Sequence, residues 1–382
     1  MNELIRSGKF VRQPTGYRAF IPSPLPPNPP VEIDLEMHRL LSEAERALGR
    51  LDGSIQTLPN PDLFVFMYVR KEAVLSSQIE GTQASINDLL KAEADLFDSE
   101  SARDVDEVVN YVRAMNYGLA RLNELPFSIR LIKEIHERLL DGVRGRTLQP
   151  GEIRRSQNWI GPAGSTLTTA AFIPPPHQEL PNLLGRLEIF FHTKDDIPPL
   201  LKIGLAHAQF ETIHPFLDGN GRIGRLLITF FLCQQGILQK PVLYLSHYFK
   251  QNRQQYYDLL QNTRLNADWE GWLKFFLRGV SSVAAQATET ARKIVDLREH
   301  HRDLIMRTFD SSAANATRLF EHLFKRPMIT VNYAKDHLGV SFPSANTIIE
   351  KMCKSEILFE VTGQSRNRIF MYSSYTELFS NL

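Results

Sequence analysis

No stretch of this chain is apolar for long enough to cross a membrane: the longest, Leu226 to Cys233, falls far short of the roughly twenty residues a spanning helix needs. The first twenty residues are also unlike a secretory leader, because Arg6, Lys9, Arg12 and Arg18 interrupt any apolar core, so a cytoplasmic location and no membrane partner are expected. Cysteine is scarce. Cys233 and Cys353 lie 120 positions apart in segments that read as helical, which excludes a disulfide framework and points to inert packing in a reducing compartment. The sequence holds no H-E-x-x-H, paired C-x-x-C or G-x-S-x-G, so zinc and serine hydrolysis have no support. A formal net charge of +1 excludes a global basic field, and any nucleic-acid surface must be local. What remains, 43% hydrophobic and 23% charged residues in a chain of 382, is the composition of a soluble globular protein of two or three domains.

The chemistry is concentrated in His214-Pro215-Phe216-Leu217-Asp218-Gly219-Asn220-Gly221-Arg222-Ile223-Gly224-Arg225. Upstream, Ile203, Ala206, His207, Phe210 and Ile213 repeat at helical steps until Pro215 stops them, which puts His214 on a helix end. Downstream, Ile223, Leu226, Leu227, Phe230 and Phe231 repeat up to Gly236. The glycine turn therefore opens onto a helix N-terminus, where unpaired N–H groups and the positive end of the dipole favour an anion. Gly219 and Gly221 let N–H groups converge on phosphate oxygens, and Asn220 can hydrogen-bond the same group. Asp218 would repel a bare phosphate and makes sense with Mg²⁺ between them. Arg222 and Arg225, three apart, share a helical face and suit phosphate.

Two other readings of these residues fit less well. Gly219-x-Gly221-x-x-Gly224 satisfies a dinucleotide fingerprint, but a helix and Pro215 precede it instead of a strand. The next acid after Asp218 is Asp258, well beyond the usual spacing of about twenty residues. A turn whose glycines serve only packing leaves His214, Asp218 and both arginines without a reason.

The segment resembles the signature of the Fic family, H-P-F-x-D/E-G-N-G/K-R-x-x-R, and matches all nine of its specified positions. The resemblance implies a mostly α fold: a Fic-type helical core with a short β-hairpin flap. It implies a protein adenylyltransferase that moves AMP from ATP to a Ser, Thr or Tyr hydroxyl of a protein target, possibly itself. His214 is then the general base, Asp218 the Mg²⁺ holder, Gly219, Asn220 and Gly221 the anion hole, Arg222 a phosphate ligand and Arg225 the γ-phosphate ligand. Gly151-x-x-Arg154-x-x-Gln157 and Phe172-Ile173-Pro174-Pro175-Pro176 resemble the segments before and along the flap, with Thr168, Thr169 and Phe172 as target-docking residues. A Tyr-Tyr pair at the place of Tyr256 and Tyr257 suggests an adenosine contact. Ser76-x-x-x-Glu80-Gly81 matches a second signature, S/T-x-x-x-E-G/N, of an inhibitory helix. It implies that Glu80 pairs with Arg225 in place of the γ-phosphate, in cis or from a homodimer partner. The local physics agrees, since a carboxylate at a helix C-terminus calls for a cationic partner.

Four regions are expected along the chain. Residues 1–30, with six prolines from Pro22 to Pro30, form an extended arm, and 31–125 an N-terminal helical region. In the latter, one helix on Met37, Leu40, Leu41, Ala44, Leu48 and Leu51 ends near Gly53. Others run from Pro61 to Glu80 and over about 85–97 and 104–122, and a helix at 128–141 follows. Residues 126–302 form the catalytic core, in which Leu167 to Ile173 has the composition of a short strand pair. Residues 303–382 read as a C-terminal winged-helix domain: helix 314–325, helix, turn and helix over 330–355, then strands at Phe359 to Val361 and Ile369 to Tyr372. Its second helix presents Ser344, Asn346, Thr347, Lys351 and Lys354 for DNA, but nine Lys or Arg against eight Asp or Glu leave the domain weakly basic. Dimerisation or target docking is the other use. A DNA-binding regulator with a nucleotide-sensing core, and removal of AMP from a modified protein with Glu80 as base for water, stand as alternatives.

Overall fold

Helices dominate because most apolar residues of this chain recur at three- and four-residue steps. The computed structural model describes residues 6–56, 61–94, 102–143, 145–162 and 164–380. The arm expected to be extended begins as an antiparallel hairpin, β1 (Gly8–Arg12) with β2 (Arg18–Pro22), closed on itself by Phe10 against Phe20. The proline segment that follows is tied down: Arg6 Nε donates to the Pro29 carbonyl, and the Arg6 guanidinium pairs with Glu270 at 2.9 Å.

The amphipathic α1 (Leu35–Gln56) opens with Asp34 accepting from the Met37 N–H. Its buried stripe packs along α11 (Trp269–Thr308), which at 40 residues is about 60 Å long. Next come α2 (Asp62–Ile79), α3 (Ile86–Glu93), α4 (Ala102–Arg121) and α5 (Ile129–Leu139), with a capping box at Ser85 and Asp88 and a Ser128 cap. The expected C-terminal part of the helix at 85–97 falls partly outside the described residues. The core is completed by α6 (Leu180–His192), α7 (Pro199–Ile213), α8 (Asn220–Gln234), α9 (Ser246–Gln251) and α10 (Arg253–Leu265).

Two expectations are corrected here. The strand pair expected over 167–173 is a single bridge, Ile160 to Phe172, while 166–170 forms a turn. The hydroxyls of Thr166, Thr168 and Thr169 bond one another and nearby backbone, offering local partners in place of a ladder. The boundary expected at 303 lies inside α11, whose buried stripe continues through Ile294, His301 and Ile305 without a helix breaker.

Beyond α11 the chain runs α12 (Ala313–Leu323), β3 (Met328–Thr330), α13 (Val331–Leu338), α14 (Phe342–Lys354), β4 (Phe359–Glu360), β5 (Ile369–Met371) and α15 (Ser373–Ser380). The three strands form an antiparallel sheet in the order β3-β5-β4. The short β3 and α15 were not legible in the sequence. α15 returns Phe379 to the N-terminal helices, its ring edge-on to Tyr68 at 5.4 Å.

The helices of the core approach closely at Gly118 of α4, where an added Cβ would lie 2.4 Å from the Phe230 ring of α8 and 3.0 Å from Ile135 of α5. Gly118→Ala therefore lowers stability by about 1–3 kcal/mol, overpacking outweighing the helix-propensity gain of about 1 kcal/mol. A urea midpoint equal to or above that of the native protein would show that these helices are not in contact.

Candidate active site

α7 ends because Pro215 cannot continue it and His214 turns left-handed, with φ 49° and ψ 61°. The loop to α8 closes through Asn220, whose carboxamide accepts from the Phe216 N–H at 2.8 Å and donates to the Phe216 carbonyl at 2.9 Å. Asn220 is 2% exposed, so its side chain braces the loop instead of reaching outward. Gly219, at φ 77°, starts α8, whose first-turn N–H groups have no intrahelical partner. An anion-receptive helix end and a histidine are thereby held on one short loop.

Two buried side chains outside the motif, Arg154 and His136, and the half-buried Asn158 fix that loop by its carbonyls. Arg154 donates from Nε to the His214 carbonyl at 2.9 Å, and from its other nitrogens to Ser156 and Pro175. Asn158 donates to the Phe216 carbonyl at 2.9 Å. His136 of α5 accepts from the Gly151 N–H at Nδ1, so its Nε2 carries the proton and donates to the Asp218 carbonyl at 3.0 Å. Burial pushes the His136 pKa down to about 4, and the neutral ring stacks on Phe216 at 3.7 Å. Sequence reasoning singled out Arg154 only by resemblance and missed His136 and Asn158. The one available signal was a histidine on the apolar face of α5.

His214 itself accepts a proton readily in geometry but not in charge. Its Nδ1 lies 3.3 Å from the Glu211 carbonyl and donates to it, which leaves Nε2 with a lone pair. Burial first, and then the Arg264 and Arg154 guanidinium groups, push its pKa down to about 3. The imidazole is neutral at physiological pH, as a general base must be.

The two arginines three apart on α8 go to different partners. Arg225, 2% exposed, donates from Nε to the Ser76 hydroxyl at 2.8 Å and from Nη2 to the Ser76 carbonyl at 3.0 Å and to Glu80 Oε1 at 2.7 Å. Glu80 is the C-cap of α2, so the end of this helix delivers a carboxylate to the start of α8. Gly221 makes room for it: a Cβ there would lie 2.3 Å from Glu80 Oε1. Burial alone would raise the Glu80 pKa, but Arg225, then Arg222 and His214, bring it below the usual carboxylate range. Arg222, 1% exposed, pairs with Glu107 of α4 at 3.1 Å and keeps Nη2 3.8 Å from Asp218. Its Nε is buried with no hydrogen-bond partner among the described residues.

Among the described residues no three His, Cys, Asp or Glu side chains cluster as a metal cage. Asp218, 30% exposed, stands alone, with one oxygen accepting from the Gly219 N–H and the other facing Gly145 closely enough that a Cβ there would lie 2.8 Å away. A single carboxylate beside an anion site suits Mg²⁺, which takes one or two carboxylates and fills its shell with phosphate oxygens and water.

The remaining expected residues separate. Thr168 and Thr169 are exposed, whereas Phe172 is 3% exposed beneath the Arg264 guanidinium and against Phe20. Phe172 therefore packs the flap and only the threonines are open to a target. Tyr256 is 1% exposed, stacked on Phe249 at 4.5 Å, with its hydroxyl donating to His207. An adenosine contact is left to Tyr257, which is 37% exposed.

Comparison with known proteins agrees with this geometry. Residues 38–120 match the Fic/DOC family N-terminal region and residues 126–232 the Fic/DOC family. The chain is 31% identical over 187 residues to the Protein adenylyltransferase Fic of Drosophila grimshawi and 32% over 188 residues to that of Aedes aegypti. Each match takes in 48% of this chain but only 34% and 33% of those relatives, so the chain spans about a third of their length. Among solved structures, a Fic family protein from Desulfovibrio desulfuricans shares the fold over 90% of this chain and 97% of its own, with a TM-score of 0.58 at 19% identity. A Fic domain containing signaling protein from Bacteroides thetaiotaomicron does so over 66% and 96%, with a TM-score of 0.52 at 22% identity. Through the motif loop, the helices that hold it and these two matched stretches, the chain belongs to the Fic/DOC family.

Proposed function

We propose that this protein transfers AMP from ATP to a hydroxyl of a protein and that the end of α2 restrains the reaction. The observation that carries the reading is the Glu80 carboxylate bonded to Arg225 above Gly221, an anion already seated where the first turn of α8 would receive a phosphate. His214 Nε2 takes the proton of the target hydroxyl as its oxygen bonds to the α-phosphorus. The bond from that phosphorus to the bridging oxygen breaks, and pyrophosphate leaves. The N–H groups of α8 and the guanidinium groups of Arg222 and Arg225 bear the charge that develops, which is most of what such a transfer asks of a protein. Asp218 would hold Mg²⁺, which when bound neutralises phosphate charge. Thr168 and Thr169 would meet the target, and Tyr257 the adenosine.

The restraint closes within one chain, so no dimer partner is needed for it. Glu80 repels a terminal phosphate at Arg225 and occupies the same donors, leaving ATP short of its alignment. The arrangement beyond α11 has the element order of a winged helix, and we read it as a docking unit. On α14, Lys351 is turned onto Phe309 and Ser312, Asn346 is engaged by Glu350 and Arg368, and the exposed Ser344 and Thr347 hydroxyls bond Ser341 and the Pro343 carbonyl, so of the set expected to meet DNA Lys354 is exposed with no such bond among the described residues.

Glu80→Gly should raise transfer of radiolabelled AMP to target or to the protein itself, and a second change, Arg225→Ala, should cancel the gain. A folded, ATP-binding Glu80→Gly protein with no gain on any substrate would reject the restraint. If the site instead removes AMP from a modified protein with Glu80 as base, the same variant loses that activity.

His214→Ala should keep the fold and nucleotide binding while lowering the transfer rate about 10²–10⁴-fold, the usual worth of one acid–base group. Transfer at the native rate would remove His214 from the mechanism.

In the free protein, imidazole ¹⁵N spectra should show His214 as the neutral Nδ1–H tautomer down to pH 5, because its pKa is pushed down to about 3. A titration midpoint above pH 6 would contradict that burial.

A further inference from the structure

Away from the motif, α2, α3 and α4 face α12, β3 and α13 across a cavity of about 560 Å³, a size that suits a small organic ligand. Leu90, Val109, Val112 and Met328 give it an apolar wall. Four cationic side chains line it, Arg70, Arg113, Lys325 and Arg326, against one carboxylate, Glu93. Glu93 is already committed, since Arg70 donates to both of its oxygens at 2.6 and 2.7 Å. Among the described residues the other three cations that line it, Arg113, Lys325 and Arg326, have no carboxylate partner. Like charges on one cavity wall make its potential positive and favour an anion there.

Arg326 is the most telling of them. It donates from Nη2 to the Ala94 carbonyl at 2.8 Å and lays its guanidinium over the Tyr333 ring at 4.2 Å. Its Nε is buried and has no hydrogen-bond partner among the described residues. The rest of its guanidinium lines the cavity and can direct N–H donors to an anionic oxygen there. His322 adds no charge here: burial, then His337, Arg326 and Lys325, hold its pKa at about 4, and it bonds the Tyr333 hydroxyl at 2.7 Å.

We infer that this cavity binds a small phosphorylated molecule with an aromatic or apolar body, its phosphate between Arg326, Arg113 and Lys325 and its body on the wall of Leu90, Val109, Val112 and Met328. Guanidinium groups favour phosphate through paired N–H donors, and the wall supplies the area an inorganic ion cannot use. The ligand bridges the N-terminal helices and the C-terminal unit, so its binding stabilises both together.

The test titrates the full chain with phenyl phosphate, followed by calorimetry and by thermal unfolding. Phenyl phosphate should bind about tenfold more tightly than inorganic phosphate and raise the unfolding temperature, while phenol, with the ring but no charge, should do neither. Arg113→Ala combined with Lys325→Ala should weaken binding by tenfold or more; both residues are exposed, so the fold survives their loss. No binding of phenyl phosphate at millimolar concentration overturns the proposal. So does undiminished binding by the double variant, which would place the anion elsewhere, such as at the start of α8. Neither result bears on AMP transfer, which is measured separately.

Discussion

Arg225 is a fixed cation with 2% of its surface exposed, and a guanidinium so placed has to be given an anion. The end of α2 supplies one, and much of the surrounding structure follows from that supply. α2 must terminate at Glu80, with Gly81 turning away at φ 103°, so that the carboxylate and the Ser76 hydroxyl reach the same guanidinium. Gly221 must lack a side chain because Glu80 lies over it, and Gly224 because a Cβ there would lie 2.1 Å from Glu211. Removing one member of a buried pair costs about 3–5 kcal/mol, and less here because Glu80 is 30% exposed. That partial exposure leaves the Glu80 side of the pair open to solvent.

The loop between α7 and α8 depends on a second constraint, the satisfaction of its carbonyls. A left-handed histidine and a proline leave the backbone of 214–218 outside any helix, and its oxygens face inward. Arg154, Asn158 and His136 take those of residues 214, 216 and 218 in turn. These residues carry no chemistry on the substrate, yet they fix where His214 and Asp218 stand. Burial of His136 and His214 keeps both rings neutral, so one can donate to a carbonyl and the other can accept a proton.

Glu211 is placed differently. Its carboxyl, 6% exposed, has one oxygen with no hydrogen-bond partner among the described residues, and burial raises its pKa to about 7 in spite of Arg225 and Arg264 nearby. Its backbone carbonyl, by contrast, accepts from Arg264 and from His214. Glu80 and Glu211, both near Arg225, thus shift in opposite directions, a difference set by how directly each meets that guanidinium.

Local sequence determined the parts of this protein whose causes are local. The helical steps before Pro215 and after Gly219 placed α7 and α8, the nine motif positions identified the family, and Ser76 with Glu80 named the residues that meet Arg225. The long α11 was not read from the sequence, and the boundary expected at 303 falls within it. Tertiary structure alone decided what depends on residues far apart in the chain. Thr166, Thr168 and Thr169 have strand composition, but their hydroxyls satisfy one another, so a turn forms with a single bridge to Ile160. Tyr256 and Tyr257 are adjacent in sequence, yet packing against Phe249 and a bond to His207 bury the first and leave the second open. Asn220 has the residue type of a phosphate ligand, and only the closing of the loop on Phe216 turned its amide inward. Asn158 and Glu107 gave no sequence signal of their roles, and His136 only its place on the apolar face of α5, because a hydrogen bond to a carbonyl or a guanidinium brought in by another helix has no spacing along the chain.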